Sequence, residues 1–307
     1  GGWVKTMRRK QFLYKAYGLT IASDFYLPGL VEGKDSPDVI IRYGTVPYSL
    51  ENAIINAILF QVAPGEFLLN LDGVARYYII NRHEIIVEPF VTAADADVQV
   101  FLLGPVLGAL LQLRGQFVLH GAAVAINGQG ILLSGDSGVG KSTLAGMLCK
   151  KNYQFLTDEL CVISLSSKGR PEIVPGHPRL KLWADAVEEL GEDIALLPRV
   201  RKNLEKYQLP LDRMFSAKTV PLRWFCQLTR DNTKEVQLLK VTDSEKLATI
   251  DTNTYRYWFL SGKGGRPAHL KQCSQLANAV DTFRICYPMD GFWLDDLVTR
   301  LEEEVGL

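Results

Sequence analysis

Residues Gly135-Asp136-Ser137-Gly138-Val139-Gly140-Lys141-Ser142 fill the pattern G-x-x-x-x-G-K-[ST]. They lie between an apolar run, Ile131-Leu132-Leu133-Ser134, and a helix-like run from Ser142 to Lys151. Strand, glycine-rich turn, helix is the setting in which this pattern binds phosphate. It constrains the fold more than any other feature, because a polyanion needs many donors aimed at one spot. Glycines let the backbone wrap closely, so that successive N–H groups converge, and the helix adds its positive end. Gly135, Asp136, Ser137, Gly138, Val139, Gly140, Lys141, Ser142 and Thr143 are therefore the expected nucleotide-binding residues. Lys141 is expected to reach the β- and γ-phosphates of ATP, and the Ser142 hydroxyl to hold Mg2+. The competing reading is a glycine-rich turn with an accidental lysine.

The 307-residue chain is long enough for two modest domains. Lys+Arg and Asp+Glu both number 34, so no net basic field favours nucleic acid or an anionic membrane. The five cysteines are scattered, with no metal-ligand spacing between any two, as expected of reduced, buried thiols. The opening residues carry no apolar run of signal length, and the expected location is cytoplasmic. The stretch Val98 to Leu113 is interrupted by Gln99, Gly104, Pro105, Gly108 and Gln112, which favours a buried helix over a membrane span.

Residues 1–95 read as a β-rich module and 96–307 as the nucleotide-binding domain. Short apolar runs at 38–42, 66–70, 75–80 and 84–88 are separated by Ala63-Pro64-Gly65, Asp72-Gly73 and Asn81-Arg82-His83. Asp95 to Arg114 reads as a helix kinked or restarted near Gly104-Pro105. Two strands, Phe117 to Ala125 and Gly130 to Ser134, are joined through Asn127-Gly128, a strong hairpin signal. Further strands are expected at 160–165, 224–229, 235–241 and 283–287. Helices are expected at 185–190, 270–282 and 292–304. Arg199 to Arg213 reads as a basic loop.

Phosphoryl transfer needs an acid for the metal and a base near the acceptor hydroxyl. Asp158 and Glu159 follow the loop after one short helix, and a tight return would bring them beside the phosphates. Adjacent acids in an extended segment point to opposite sides. One can face Mg2+ while the other faces the acceptor; the alternative is a solvated acidic turn. His120 ends an apolar strand ahead of Gly121-Ala122-Ala123, and it reads either as a packed core histidine or as a site residue. Lys206 and Arg256 are candidate cations to close over the γ-phosphate, weighed against ordinary surface cations.

Leu119-His120-Gly121, the loop, and Leu156-Thr157-Asp158-Glu159 together resemble the catalytic domain of HPr kinase/phosphorylase. The resemblance runs from about Phe117 to Trp183, where Pro175-Gly176-His177-Pro178-Arg179-Leu180-Lys181-Leu182-Trp183 is similar to a segment of relatives. It implies an α/β fold: a P-loop kinase core with a mixed, strongly curved sheet, preceded by the smaller β-rich module. It implies Asp158 as general base toward a serine hydroxyl, Glu159 nearer the metal, and His120 as the active-site histidine. Thr143 replaces a usual Glu and Glu159 a usual Asp, which points to a divergent branch. The implied activity is ATP- and Mg2+-dependent phosphorylation of a serine on a peptide or small protein, such as a lasso-type precursor peptide. HPr itself, or free serine, is the alternative acceptor. A nucleotide-responsive binding module without catalysis is the non-enzymatic alternative. A homo-oligomer is a further implication of the resemblance.

Overall fold

The computed structural model describes residues 11–136, 138–166, 170–201, 203–256, 260 and 265–306. The chain divides into two compact units between Ala93 and Ala94.

The first unit carries a nine-stranded mixed sheet. Phe12–Ala16 and Leu19–Ser23 form a hairpin, and Val39–Tyr43 runs parallel to both Leu19–Ser23 and Glu84–Pro89. Phe60–Ala63, Glu66–Leu71, Ala75–Ile80 and Glu84–Pro89 form an antiparallel meander. Its turns use left-handed backbone at Gly65, Gly73, Asn81 and Arg82; glycine and asparagine are the residues that tolerate it best. The Phe12–Ser23 hairpin has no turn dipeptide of the usual type and turns through Tyr17 at φ 53° and Gly18 at φ 75°.

The second unit is built around six strands in the order Gln237–Lys240, Asp281–Pro288, Val220–Asp231, Gln129–Ser134, Ala122–Ile126, Gln154–Thr157. Asp281–Pro288, Val220–Asp231 and Gln129–Ser134 are parallel to one another. The start of the long strand Val220–Asp231 also pairs with Glu172–Val174, which leads on to Leu160–Ser164 and Phe117–His120. The sheets are open paths, neither closed nor curled, so the strong curvature that the resemblance implies is not part of the described architecture.

Side-chain alternation divides the sheet's two faces. Ile131 and Leu133 pack with Leu144 and Leu148 of the helix Lys141–Lys150 and with Leu297 and Leu301 of the helix Leu294–Glu304. Leu132, between them in sequence, packs with Ile250, Cys273 and Leu276 on the opposite side. Both faces are covered by helices, so the strands read as continuous apolar runs rather than alternating ones.

Several local expectations change. Phe117 to Ala125 is two strands, because the chain breaks at Gly121 and the halves join different neighbours. A Cβ at Gly121 would lie 2.5 Å from the Leu133 carbonyl oxygen, so the crossing needs a glycine. The basic segment is not all loop: Lys206–Pro210 pairs antiparallel with Arg179–Trp183. The helix Asp243–Thr252 is too weak in apolar periodicity to be predicted from sequence. At Leu102–Val106 the expected interruption is a π-helical turn containing Pro105, after which α-helix resumes from Leu107 to Leu113. The run Asp95–Leu113 is long and apolar enough to cross a membrane by composition, and 61% of its apolar window is buried inside the protein.

Candidate functional site

The loop after Ser134 is shaped by its glycines. Gly135, Gly138 and Gly140 have φ of 140°, 80° and 107°, values that L side chains rarely adopt. A Cβ at Gly135 would lie 2.6 Å from the Leu228 carbonyl oxygen, so the turn also needs closeness. The helix Lys141–Lys150 starts at Gly140 with no side-chain cap, leaving its first N–H groups open to an anion. The Val139 side chain turns into the apolar core. Ser137 lies outside the described residues.

A cavity of about 420 Å3 opens at this helix end. Gly138, Gly140, Lys141, Ser142 and Thr143 form one wall; His120, Glu159, Lys206 and Arg256 also line it. A second cavity of about 290 Å3 is lined by Gly135, Asp136, Gln227 and the segment Thr252–Arg256. His120 and Arg256 line both.

Lys141 is buried, and its ammonium donates to the Gly135 carbonyl at 2.6 Å. Burial lowers its pKa, opposed by the Asp158 and Glu159 carboxylates. The Ser142 hydroxyl donates to Asp158 Oδ1 at 3.1 Å, and the Lys181 backbone N–H donates to Oδ2 at 3.0 Å. Burial and the neighbouring Glu159 charge raise the Asp158 pKa to about 6.

The two acids take different partners across an unusual backbone. Glu159 adopts φ 66°, in the left-handed region that a side chain disfavours. The turn is held by Leu160 N–H to the Asp158 carbonyl (2.8 Å) and Gly121 N–H to the Glu159 carbonyl (3.1 Å). Asp158 thereby bonds to Ser142, while Glu159 lines the cavity. Burial alone would raise the Glu159 pKa, but the Lys181 ammonium at 2.9 Å and Lys206 at 3.9 Å outweigh it and hold the carboxyl low. His120 is held neutral, its pKa lowered to about 4 by burial and then by Lys141. Its ring stacks on that of Tyr255 at 6.5 Å between centres.

Lys181 escapes sequence reasoning, although it lies in a segment singled out by the resemblance. In Arg179–Trp183 the residues Leu180 and Leu182 are buried, so Lys181 and Trp183 fall on the opposite face. Both line the cavity. That alternation is a strand signal, hidden by the missing partner strand. Lys206 reaches the cavity from that partner and lies 5.2 Å from the Trp183 ring centre. Arg230 and Glu189, both unanticipated, also line it.

Residues 112–179 match the family model of the HPr serine kinase C-terminal domain. HPr kinase/phosphorylase of Treponema pallidum (strain Nichols) is 50% identical over 46 residues, 15% of this chain and 14% of that one. The Clostridium botulinum (strain Eklund 17B / Type B) protein of that name is 31% identical over 94 residues, 30% of each chain. The matched stretches thus span less than a third of these curated relatives. The solved Hpr(Ser) kinase/phosphatase from Coxiella burnetii aligns over 61% of this chain and 93% of its own, with 13% identity and a TM-score of 0.34. By these sequence matches residues 112–179 are similar to the HPr kinase C-terminal domain, and the matched segment contains the loop, His120 and both acids.

Proposed function

We propose that this protein transfers the γ-phosphoryl group of ATP to a serine hydroxyl. The observation that carries the reading is the Ser142–Asp158 hydrogen bond beside a cavity that also receives Lys141 and Glu159. A helix-start hydroxyl joined to a carboxylate is a donor set suited to Mg2+, and left-handed glycines ahead of it suit a phosphate cradle. The residues therefore fit ATP and Mg2+. Bound there, the metal supplies charge neutralisation of the phosphates. In this reading the glycine-rich turn is a phosphate-binding loop, and residues 96–307 are the kinase domain.

The chain's own groups divide the remaining work. Lys141 and the open N–H groups of the helix start orient the phosphate tail. Lys206 and Arg256, both in the cavity lining, face the charge that develops on the transferred group. Asp158 lies on the metal side, fixed by Ser142 and by the Lys181 N–H. Glu159 faces the open cavity with His120 and is the carboxylate placed to accept the hydroxyl proton. This exchanges the two roles implied by the sequence resemblance. It rests on which acid lines the cavity and which bonds Ser142.

The acceptor we infer is a serine on a small protein or peptide, in keeping with the matched family's description as an HPr serine kinase domain. A lasso-type precursor peptide is its more specific form. Incubating the protein with labelled ATP and HPr, a precursor peptide or free serine tests this: label is expected on a serine of a peptide or protein. ATP binding without acceptor-dependent consumption in all three would instead leave a nucleotide-responsive binding module.

A further inference from the structure

We propose that Asp251, His269 and Cys273 form a binding site for a zinc-class metal ion, separate from the Mg2+ site. His269 and Cys273 are four residues apart on the helix Gly265–Ala279 and so share one face. Asp251 comes from the last turn of the helix Asp243–Thr252. One ligand atom from each lies within 4.8 Å of the others.

The spacing favours a common metal. His269 Nε2 is 3.2 Å from Asp251 Oδ1 and 3.6 Å from Cys273 Sγ. Zinc bonds of about 2.0 Å to N and O and about 2.3 Å to S give tetrahedral edges of about 3.3 Å for N to O and about 3.6 Å for N to S. Both separations match before any side chain moves. A thiolate and an imidazole select zinc over Mg2+. The thiolate and carboxylate charges offset the two charges of the ion, and binding displaces the Sγ proton.

The surroundings complete the site. His269 and Cys273 are buried, whereas the Asp251 side chain is 23% exposed, and a solvent water is the proposed fourth ligand. Arg266 grips both Asp251 oxygens, orienting the carboxylate from outside as outer partners of metal sites do. Thr254 Oγ1 lies 3.9 Å from the Cys273 sulfur. A metal here joins the two helices and fixes the segment Thr252–Arg256, which lines the second cavity and carries Arg256 to the first.

The test is titration of the full, metal-stripped chain with Co2+, without nucleotide or Mg2+. We expect one equivalent of thiolate-to-cobalt charge-transfer absorption with tetrahedral d–d bands, displaced by one equivalent of Zn2+. Both are lost in Cys273→Ser and in His269→Gln. Zinc is expected to raise the thermal midpoint of the unaltered chain. Absence of the absorption, or its full retention in either folded variant, overturns the site, since the signal would then come from another thiol. If neither variant folds, a thermal midpoint of the unaltered chain that is unmoved by saturating Zn2+ overturns it.

Discussion

The Ser142 hydroxyl donates to Asp158 Oδ1 at 3.1 Å, joining the first turn of the post-loop helix to an acid sixteen residues further on. That bond separates the two adjacent acids by environment. Asp158→Asn is expected to weaken Mg2+ binding, raising the half-saturating Mg2+ concentration for turnover with a loss of about 10²-fold or more in kcat. Glu159→Gln is expected to lower kcat by about 10²–10⁴-fold with half-saturating Mg2+ unchanged. Mg2+ titrations of both variants check the division, and the opposite pattern restores Asp158 as the base.

Lys141→Ala is expected to lose ATP binding and to reduce turnover by about 10²-fold or more. Its ammonium is buried against the Gly135 carbonyl. Removing it leaves the Gly135 carbonyl and the nearby Asp158 and Glu159 carboxylates without that partner, so the thermal midpoint is expected to fall while the fold is kept. Nucleotide-binding calorimetry and a melting curve on the same sample separate a lost contact from a lost fold.

Lys181→Met is expected to move the acid limb of the pH–rate profile upward. Lys181 is the nearest of the cations that hold the Glu159 carboxyl low, at 2.9 Å. Without it, burial favours the protonated acid, and the base form appears only at higher pH. An unmoved acid limb would mean that another group sets it.

Gly121→Ala is expected to destabilise the second unit by about 2 kcal/mol or more. The added Cβ would lie 2.5 Å from the Leu133 carbonyl oxygen and 2.9 Å from Leu132 Cδ1, and the first is backbone that cannot swing away. Chemical denaturation checks it. His120, one residue earlier, makes a fall in activity of the surviving folded fraction a second expected outcome.

Acid should weaken the fold through His177. Burial, and then the Lys181 and Arg179 charges, lower its pKa from 6.5 to about 4. The unfolded chain therefore takes up a proton near pH 6.5 that the folded chain refuses until about pH 4. Stability is unaffected above that window and falls as pH drops through it, by about 3 kcal/mol at most at about 1.36 kcal/mol per pH unit. The stability difference between the unaltered chain and His177→Gln, followed from pH 7 to 4, should shrink accordingly.

Part of this architecture is legible locally. The glycine-rich turn, its strand and its helix follow from backbone needs that only glycine meets, and those needs are written in consecutive residues. The Asn127-Gly128 hairpin follows from the same chemistry, with φ of 51° and 76° at the two turn residues. Alternating runs mark the meander of the first unit because each strand carries its own periodicity. What tertiary structure decided was proximity across sequence. Lys181 and Lys206 meet Glu159 only because Arg179–Trp183 pairs with Lys206–Pro210, and no single strand announces its partner. The separate surroundings of Asp158 and Glu159 depend on one left-handed residue at Glu159, a strain that local propensity opposes and neighbouring hydrogen bonds hold in place. Likewise Asp251 is remote in the chain from the i, i+4 pair His269 and Cys273, and only the packing of two helices brings its donor atom to theirs.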